Sequence, residues 1–158
     1  MKKIFKMAIL GVSLLFTSCT TTPSDYFDSI TLQIKNIANA ERVLANGADS
    51  TKAVDAQKAI AKAYKKLQRM EDFRGNDSLR AAALEYAKFF NDLYCSGQNH
   101  LLNLEIKQSN GIELTPEEVA EQNVLFQNYL NGSTELNYKV SKAETDFLKH
   151  YELIVDQN

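Results

Sequence analysis

Cysteine is almost missing from this chain. Of 158 residues only Cys19 and Cys95 carry a thiol, too few for a disulfide framework, so the fold has to stand on packing. Proline is equally scarce: Pro23 and Pro116 are the only two, which leaves room for long helices between and beyond them. Apolar runs are short. The longest, Met7 to Phe16, falls well below the ~20 residues a bilayer-spanning helix needs. There is no basic stripe either, with 18 Lys and Arg against 20 Asp and Glu, and this excludes a nucleic-acid-binding surface built on phosphate contacts.

What is present begins with Lys2, Lys3 and Lys6 ahead of that apolar run, the arrangement of a secretory leader. The junction Phe16-Thr17-Ser18-Cys19 resembles the lipobox of bacterial lipoproteins, in which small residues precede a cysteine that is lipidated and becomes the new N-terminus. Phe16 stands where such proteins usually carry Leu, with Leu15 one position further back. The resemblance implies a leader over 1–18, lipidation of Cys19 with a polar spacer over 19–25, and a domain over 26–158. It also implies a tether: each buried methylene contributes about 0.8 kcal/mol, and two or more acyl chains hold a protein stably. The location implied is the Gram-negative cell envelope, as an outer-membrane lipoprotein facing periplasm or surface. Loss of the three leader lysines lowers the 18 bases to 15 against 20 acids, a formal charge of −5.

The rest is rich in Ala, Leu, Lys, Glu, Gln and Asn, with helix breaks at Asn46-Gly47, Gly75-Asn76 and Asn110-Gly111. Four helices follow. The first runs over 24–45 with an apolar stripe of Tyr26, Phe27, Ile30, Ile34, Ile37 and Leu44. The second spans 50–74, with Ala53, Ile60, Tyr64, Leu67 and Met70 inward and its lysines solvated. The third, over 78–109, keeps four-three spacing through Leu79, Ala83, Tyr86, Phe90, Leu93, Gly97, His100 and Leu104. Thr115-Pro116-Glu117-Glu118 opens the fourth as a capping box with proline at the first helical position. Its seam passes through Val119, Phe126, Leu130, Ser133, Asn137, Val140, Glu144 and Phe147, unbroken by Asn131-Gly132-Ser133. The fold class expected is all-α, an up-down-up-down antiparallel four-helix bundle with long third and fourth helices. It is similar to small helical-bundle lipoproteins of bacterial envelopes that lack an assigned activity. Gly97 and Gly132 are expected within a turn of each other in height, at a bend or close helix approach.

No catalytic constellation emerges, and no cofactor or metal is expected. The Glu-x-x-His pairs of di-iron bundles are missing, because Gly97 and Phe147 stand three residues before His100 and His150. His100 is expected opposite Leu125, about 40 Å from His150. Cys95 and His100 point to different faces of a helix, and Cys95 reads as a half-buried apolar residue. Two functional readings remain, neither an enzyme. One is an interaction module with an envelope-protein partner; the alternative is a carrier of a small apolar ligand in a pocket lined by Tyr86, Phe89, Phe90, Phe126, Tyr129 and Phe147.

Helix length points to a surface for the first reading. At about 32 residues the third helix outruns the first two, so its end and the start of the fourth project by about 12 Å. That tip holds Leu102, Ile106, Ile112 and Leu114, a candidate partner-binding patch unless Ile112 and Leu114 plug the helix ends. Three further stretches, Asp28-Ser29-Ile30, Asp49-Ser50-Thr51 and Asp77-Ser78-Leu79, look like the Asp-Ser/Thr-apolar acceptor of one bacterial envelope O-glycosylation system, making Ser29, Ser50 and Ser78 candidate sites. Helix capping accounts equally for the pairs at Asp49 and Asp77.

Overall fold

The structure is a computed structural model that describes residues 21–46, 50–95 and 100–153; the expected leader, Cys19, Asp49 and Gly97 lie outside these. Among the described residues there are five helices and no strand: α1 Pro23–Ala45, α2 Ser50–Arg69, α3 Ser78–Cys95, α4 His100–Ser109 and α5 Pro116–His150. The all-α class holds, but the number of helices is five and not four. The long third helix expected over 78–109 is described as two, α3 and α4. The four-three spacing runs from Leu93 through Gly97 to His100 and predicts one helix; residues 96–99, between α3 and α4, lie outside the described residues.

Local chemistry fixes the helix ends. At α5, Glu118 N–H donates to Thr115 Oγ1 at 3.2 Å and Thr115 N–H donates to Glu118 Oε2 at 3.1 Å, the expected capping box. Thr22-Pro23-Ser24-Asp25 repeats this pattern at α1, with Asp25 N–H donating to Thr22 Oγ1 at 3.1 Å. Helix α1 therefore takes in 23–25, the end of the expected spacer. Helix α2 stops five residues short of the expected Arg74. A two-residue turn replaces its last part: Arg74 (φ 52°) and Gly75 (φ 80°) lie between Phe73 and Asn76, whose backbones exchange hydrogen bonds of 3.2 and 2.9 Å. Positive φ at both central residues is the geometry of a type I′ turn, and glycine supplies it at the second without strain.

Neighbouring helices run antiparallel. From Thr31 to Glu41 along α1, hydroxyl–carboxylate partners on α5 run backwards from Glu144 to Tyr129. Gln57 Nε2 near the start of α2 donates to the Tyr94 carbonyl at the end of α3, 2.9 Å away. On α1 the buried seam is Tyr26, Ile30, Gln33, Ile37, Ala40 and Leu44, a strict four-three alternation completed by Gln33 and Ala40, with the expected Phe27 and Ile34 partly buried against it. Helix α2 buries Ala56, Ile60, Ala63 and Leu67, and α3 buries Leu79, Ala83, Tyr86, Ala87, Phe90 and Tyr94. Helix α5 departs from expectation. It buries Leu136, Val140, Ala143 and Phe147, so Leu136 and Ala143 replace the polar Asn137 and Glu144 between the shared positions Val140 and Phe147. One heptad phase was mistaken for its neighbour.

Two ring clusters organise this core. Phe147 packs with Tyr26, Phe27, Phe73 and Tyr151 at centroid distances of 4.6–6.1 Å. The Tyr26 hydroxyl donates to the Glu71 carbonyl (3.0 Å) and the Tyr151 hydroxyl to the Phe73 carbonyl (3.3 Å), tying α1 and the end of α5 to the α2–α3 connection. Further along, Phe90 meets Tyr86, Phe89, Tyr94 and Tyr129. Gly132 lies against this second cluster. A Cβ there would fall 2.7 Å from the Phe89 ring, so the ring takes the space a side chain would need; Gly97, its expected counterpart, lies outside the described residues.

Two stability predictions follow from this packing. Phe147→Ala, at a side chain with no exposed surface, should cost about 3–5 kcal/mol in urea unfolding, while Tyr138→Ala, 70% exposed, should stay within about 0.5 kcal/mol. Gly132→Ala should fail to deliver the ~1 kcal/mol that alanine gains over glycine in a helix, yet deliver it in a Phe89→Ala background. Equal effects in both backgrounds would show that the ring does not press on Gly132.

Candidate functional site: the α4–α5 hairpin

Helix α4 ends on a glycine cap. Gly111 adopts φ 75°, its N–H donates to the Gln108 carbonyl at 2.9 Å, and Ile112 N–H donates to the Lys107 carbonyl at 3.0 Å. This is a Schellman motif, which closes α4 and turns the chain back toward the capping box at Thr115. Helix α4 and the first turns of α5 then lie side by side through polar contacts. Lys107 Nζ pairs with Glu118, Gln122 Nε2 donates to Gln108 Oε1 at 2.8 Å, and His100 Nδ1 lies 3.2 Å from Glu121 Oε1. His100 thus meets Glu121, one turn from the expected Leu125. The Lys107 ammonium, then the Thr115 N–H, holds the Glu118 carboxyl below its ordinary range. Glu105 is shifted upward by burial.

The four residues expected at the tip do not behave alike. Leu102 is only 9% exposed and shares a cavity lining with Gln57, Ala61, Tyr94 and Cys95, so it belongs to the interior. Ile106 and Ile112 stand out at 43% and 52% exposed, and Leu114 is half-buried. Leu101 and Leu104 are buried with Leu102, so α4 turns one apolar edge inward and leaves Ile106 outside. The larger feature lies on α5 and extends the expected tip, whose projecting start of the fourth helix included Val119, to Val124, Phe126 and Leu130. From Pro116 to Glu135 no side chain is buried, although the segment carries Val119, Val124, Phe126 and Leu130, all of them exposed. The inward seam here runs through the half-buried Glu118, Gln122, Leu125, Tyr129 and Gly132, one position from the expected Val119, Phe126, Leu130 and Ser133, and Tyr129 packs against the core. The signal for the exposed stretch was available in the length of α5, 35 residues against 20 in α2.

The other candidates fall elsewhere. Phe147 belongs to the first ring cluster, whereas Tyr86, Phe89, Phe90, Tyr129 and Phe126 stack among themselves in the second, so the six aromatics do not form one lining. Ser29 lies inside α1, half-buried; Ser50 is the first residue of α2; Ser78 begins α3, exposed, with its hydroxyl donating to Asn76 Oδ1 at 2.7 Å. Cys95 is a half-buried free thiol whose S–H faces the Gln57 carbonyl at 3.3 Å, and burial raises its pKa. Among the described residues, no group of three or more His, Cys, Asp or Glu is placed to hold a metal ion, and no helix is long and apolar enough to cross a membrane. Comparison of the chain with protein-family models, curated proteins and solved structures finds no match.

The burial difference along α4 is testable with two single variants. Leu102→Asp should cost about 3 kcal/mol or more in thermal or urea unfolding, because it buries a charge among apolar groups. Ile106→Asp should change stability by no more than about 0.5 kcal/mol. Equal losses would place Ile106 in the core.

Proposed function

We propose that this chain is a membrane-tethered cell-envelope lipoprotein that acts as a non-catalytic protein-interaction module, with the α4–α5 hairpin as its partner-facing surface. One observation carries the reading: none of the first twenty residues of α5 is fully buried, while four large apolar side chains on them are each at least 39% exposed. Apolar groups gathered on one element and rimmed by polar ones mark interaction sites on proteins in water. The centre of the surface moves accordingly, from Leu102 to Ile106, Val119, Phe126 and Leu130. In this reading α1, α2, α3 and α5 are the members of a four-helix bundle and α4 prolongs the third. A lipid on Cys19 would hold the molecule by the start of α1, beside the Phe147 cluster, and direct the hairpin away from the membrane.

Two experiments address the two halves of the proposal. Cys19→Ser should leave a full-length, unlipidated precursor in the aqueous phase of a detergent partition; normal maturation and unchanged partitioning of that variant would overturn the tether. A photo-crosslinking residue at Phe126 in intact cells should give a discrete adduct with an envelope protein, lost on Leu130→Asp, while the same probe at Tyr138 gives none. Adducts of equal yield from both positions would mean that the hairpin is not a privileged surface.

A further inference from the structure

The bases of this chain are not spread evenly. Past residue 18 there are fifteen Lys and Arg and twenty Asp and Glu; helix α2 alone holds six of the bases and one of the acids, so elsewhere nine bases face nineteen acids. Within α2 the bases gather on one side. Lys58, Lys62, Lys65 and Arg69 follow one another at four-, three- and four-residue steps, and each stands two positions, roughly 160–200° round the helix, from one of the buried Ile60, Ala63 and Leu67. All four are exposed, and with Lys66 they border one open depression of about 560 Å³.

These charges are left without counter-ions. Lys58 has Asp55 at 3.6 Å, whereas Lys62, Lys65, Lys66 and Arg69 form no ion pair among the described residues. On α3 and α5 the bases are matched: Arg80 pairs with Asp72, Lys88 with Asp92, and Lys142 with Asp146. Like charges one turn apart on a helix repel, so the α2 stripe costs the helix stability and packing does not account for it.

Position says what the stripe faces. The hydroxyl of Tyr26, in the first turn of α1, donates to the carbonyl of Glu71, two residues beyond Arg69, so the basic end of α2 lies beside the start of α1. A lipid on Cys19 would draw that end to a membrane. Helix α2 packs on α1 and α3, which also touch each other, and α5 meets the same two helices. Helices α2 and α5 therefore stand at opposite corners of the bundle. With the α2 face on a bilayer, the exposed apolar side chains of α5 stand clear of the lipid.

We infer that the outer face of α2 lies on the anionic headgroups of the membrane that holds the chain. Headgroup phosphates supply the missing counter-ions of Lys62, Lys65, Lys66 and Arg69, and clusters of four or more bases are held electrostatically at such a surface. The apolar face of α2 stays in the core, so the contact is one of charge and not of insertion. The inference rests on the tethered reading, which brings the stripe within the ~8 Å over which exposed charges act at physiological salt, and adds the orientation of the domain and the class of lipid beneath it.

Amine acylation of the membrane-extracted protein on vesicles, read lysine by lysine by mass spectrometry, tests this on the unaltered chain. On phosphatidylcholine with about one quarter phosphatidylglycerol, Lys58, Lys62, Lys65 and Lys66 should react about fivefold more slowly than on phosphatidylcholine alone. Lys139 and Lys142 on α5 should react alike on both, and ~1 M salt should abolish the difference by shortening the screening length to about 3 Å. Lys62→Gln with Lys65→Gln and Arg69→Gln, all at exposed positions, should remove the protection of Lys58 and Lys66. A chain retained on both vesicles with equally reactive lysines would overturn the inference and leave the tether standing. Protection in native membranes but not on anionic vesicles would assign the face to a protein and overturn it likewise. The footprint on anionic vesicles from a chain that washes off neutral ones would keep the lipid-facing surface and refute the tether; a chain that washes off both would remove both readings.

Discussion

Everything in this fold hangs on the ring of Phe147. It lies where the beginning of α1, the end of α5 and the α2–α3 connection converge, wrapped by Tyr26, Phe27, Phe73 and Tyr151. Two tyrosine hydroxyls anchored on the carbonyls of Glu71 and Phe73 fix the connection against the helices. First and last helices are thereby locked at one end of the molecule. A fully buried Val, Leu or Phe side chain contributes about 1.5–3 kcal/mol, and α5 commits three, Leu136, Val140 and Phe147, with Ala143 beside them, all within its C-terminal part.

Because that commitment is confined to one end, the rest of α5 is held by weaker means. Gly132 marks the change: below it α5 packs into a core, and at it the Phe89 ring takes the space a side chain would need. Above it Tyr129 still reaches Phe90 and Glu41, and beyond Tyr129 the polar contacts are surface pairs, Lys107 with Glu118 and His100 with Glu121, of a kind worth about 0–1 kcal/mol each. Such a segment opens locally at small cost, which suits an element that meets partners. The capping box at Thr115 and the glycine cap at Gly111 keep it helical and sharply turned without a core beneath it. Apolar side chains on a stable but uncovered helix are what a docking surface requires.

Much of this was legible in the residues. Helical class, the breaks at Gly75-Asn76 and Asn110-Gly111, the capping box at Thr115 and the continuity of α5 all follow from short-range rules that depend on a few neighbouring positions. The misses share another origin. Whether Leu102 or Ile106 is covered depends on which helix passes nearby, and periodicity reports a face without reporting its partner. Leu136 and Asn137 are both compatible with a seam through Val140, and only tertiary contact selects between the phases. The turn at Arg74-Gly75 shortened α2 because a helical pattern reaches Met70 and gives no hint that Phe73 will be drawn into the ring cluster. Thr22-Pro23-Ser24-Asp25 is the exception, a plain local signal hidden by its place in an expected spacer.

Native-state hydrogen exchange along α5, in a dilute solution of the full chain, tests the division most directly. Amides from 136 to 147 should exchange only with global unfolding, and those from 119 to 130 through local opening at about 2–3 kcal/mol less, since exposed helices held by surface pairs open first. Uniform protection from Val119 to Phe147 would mean that the hairpin is part of the core, and its apolar face would then have no claim to be a docking surface.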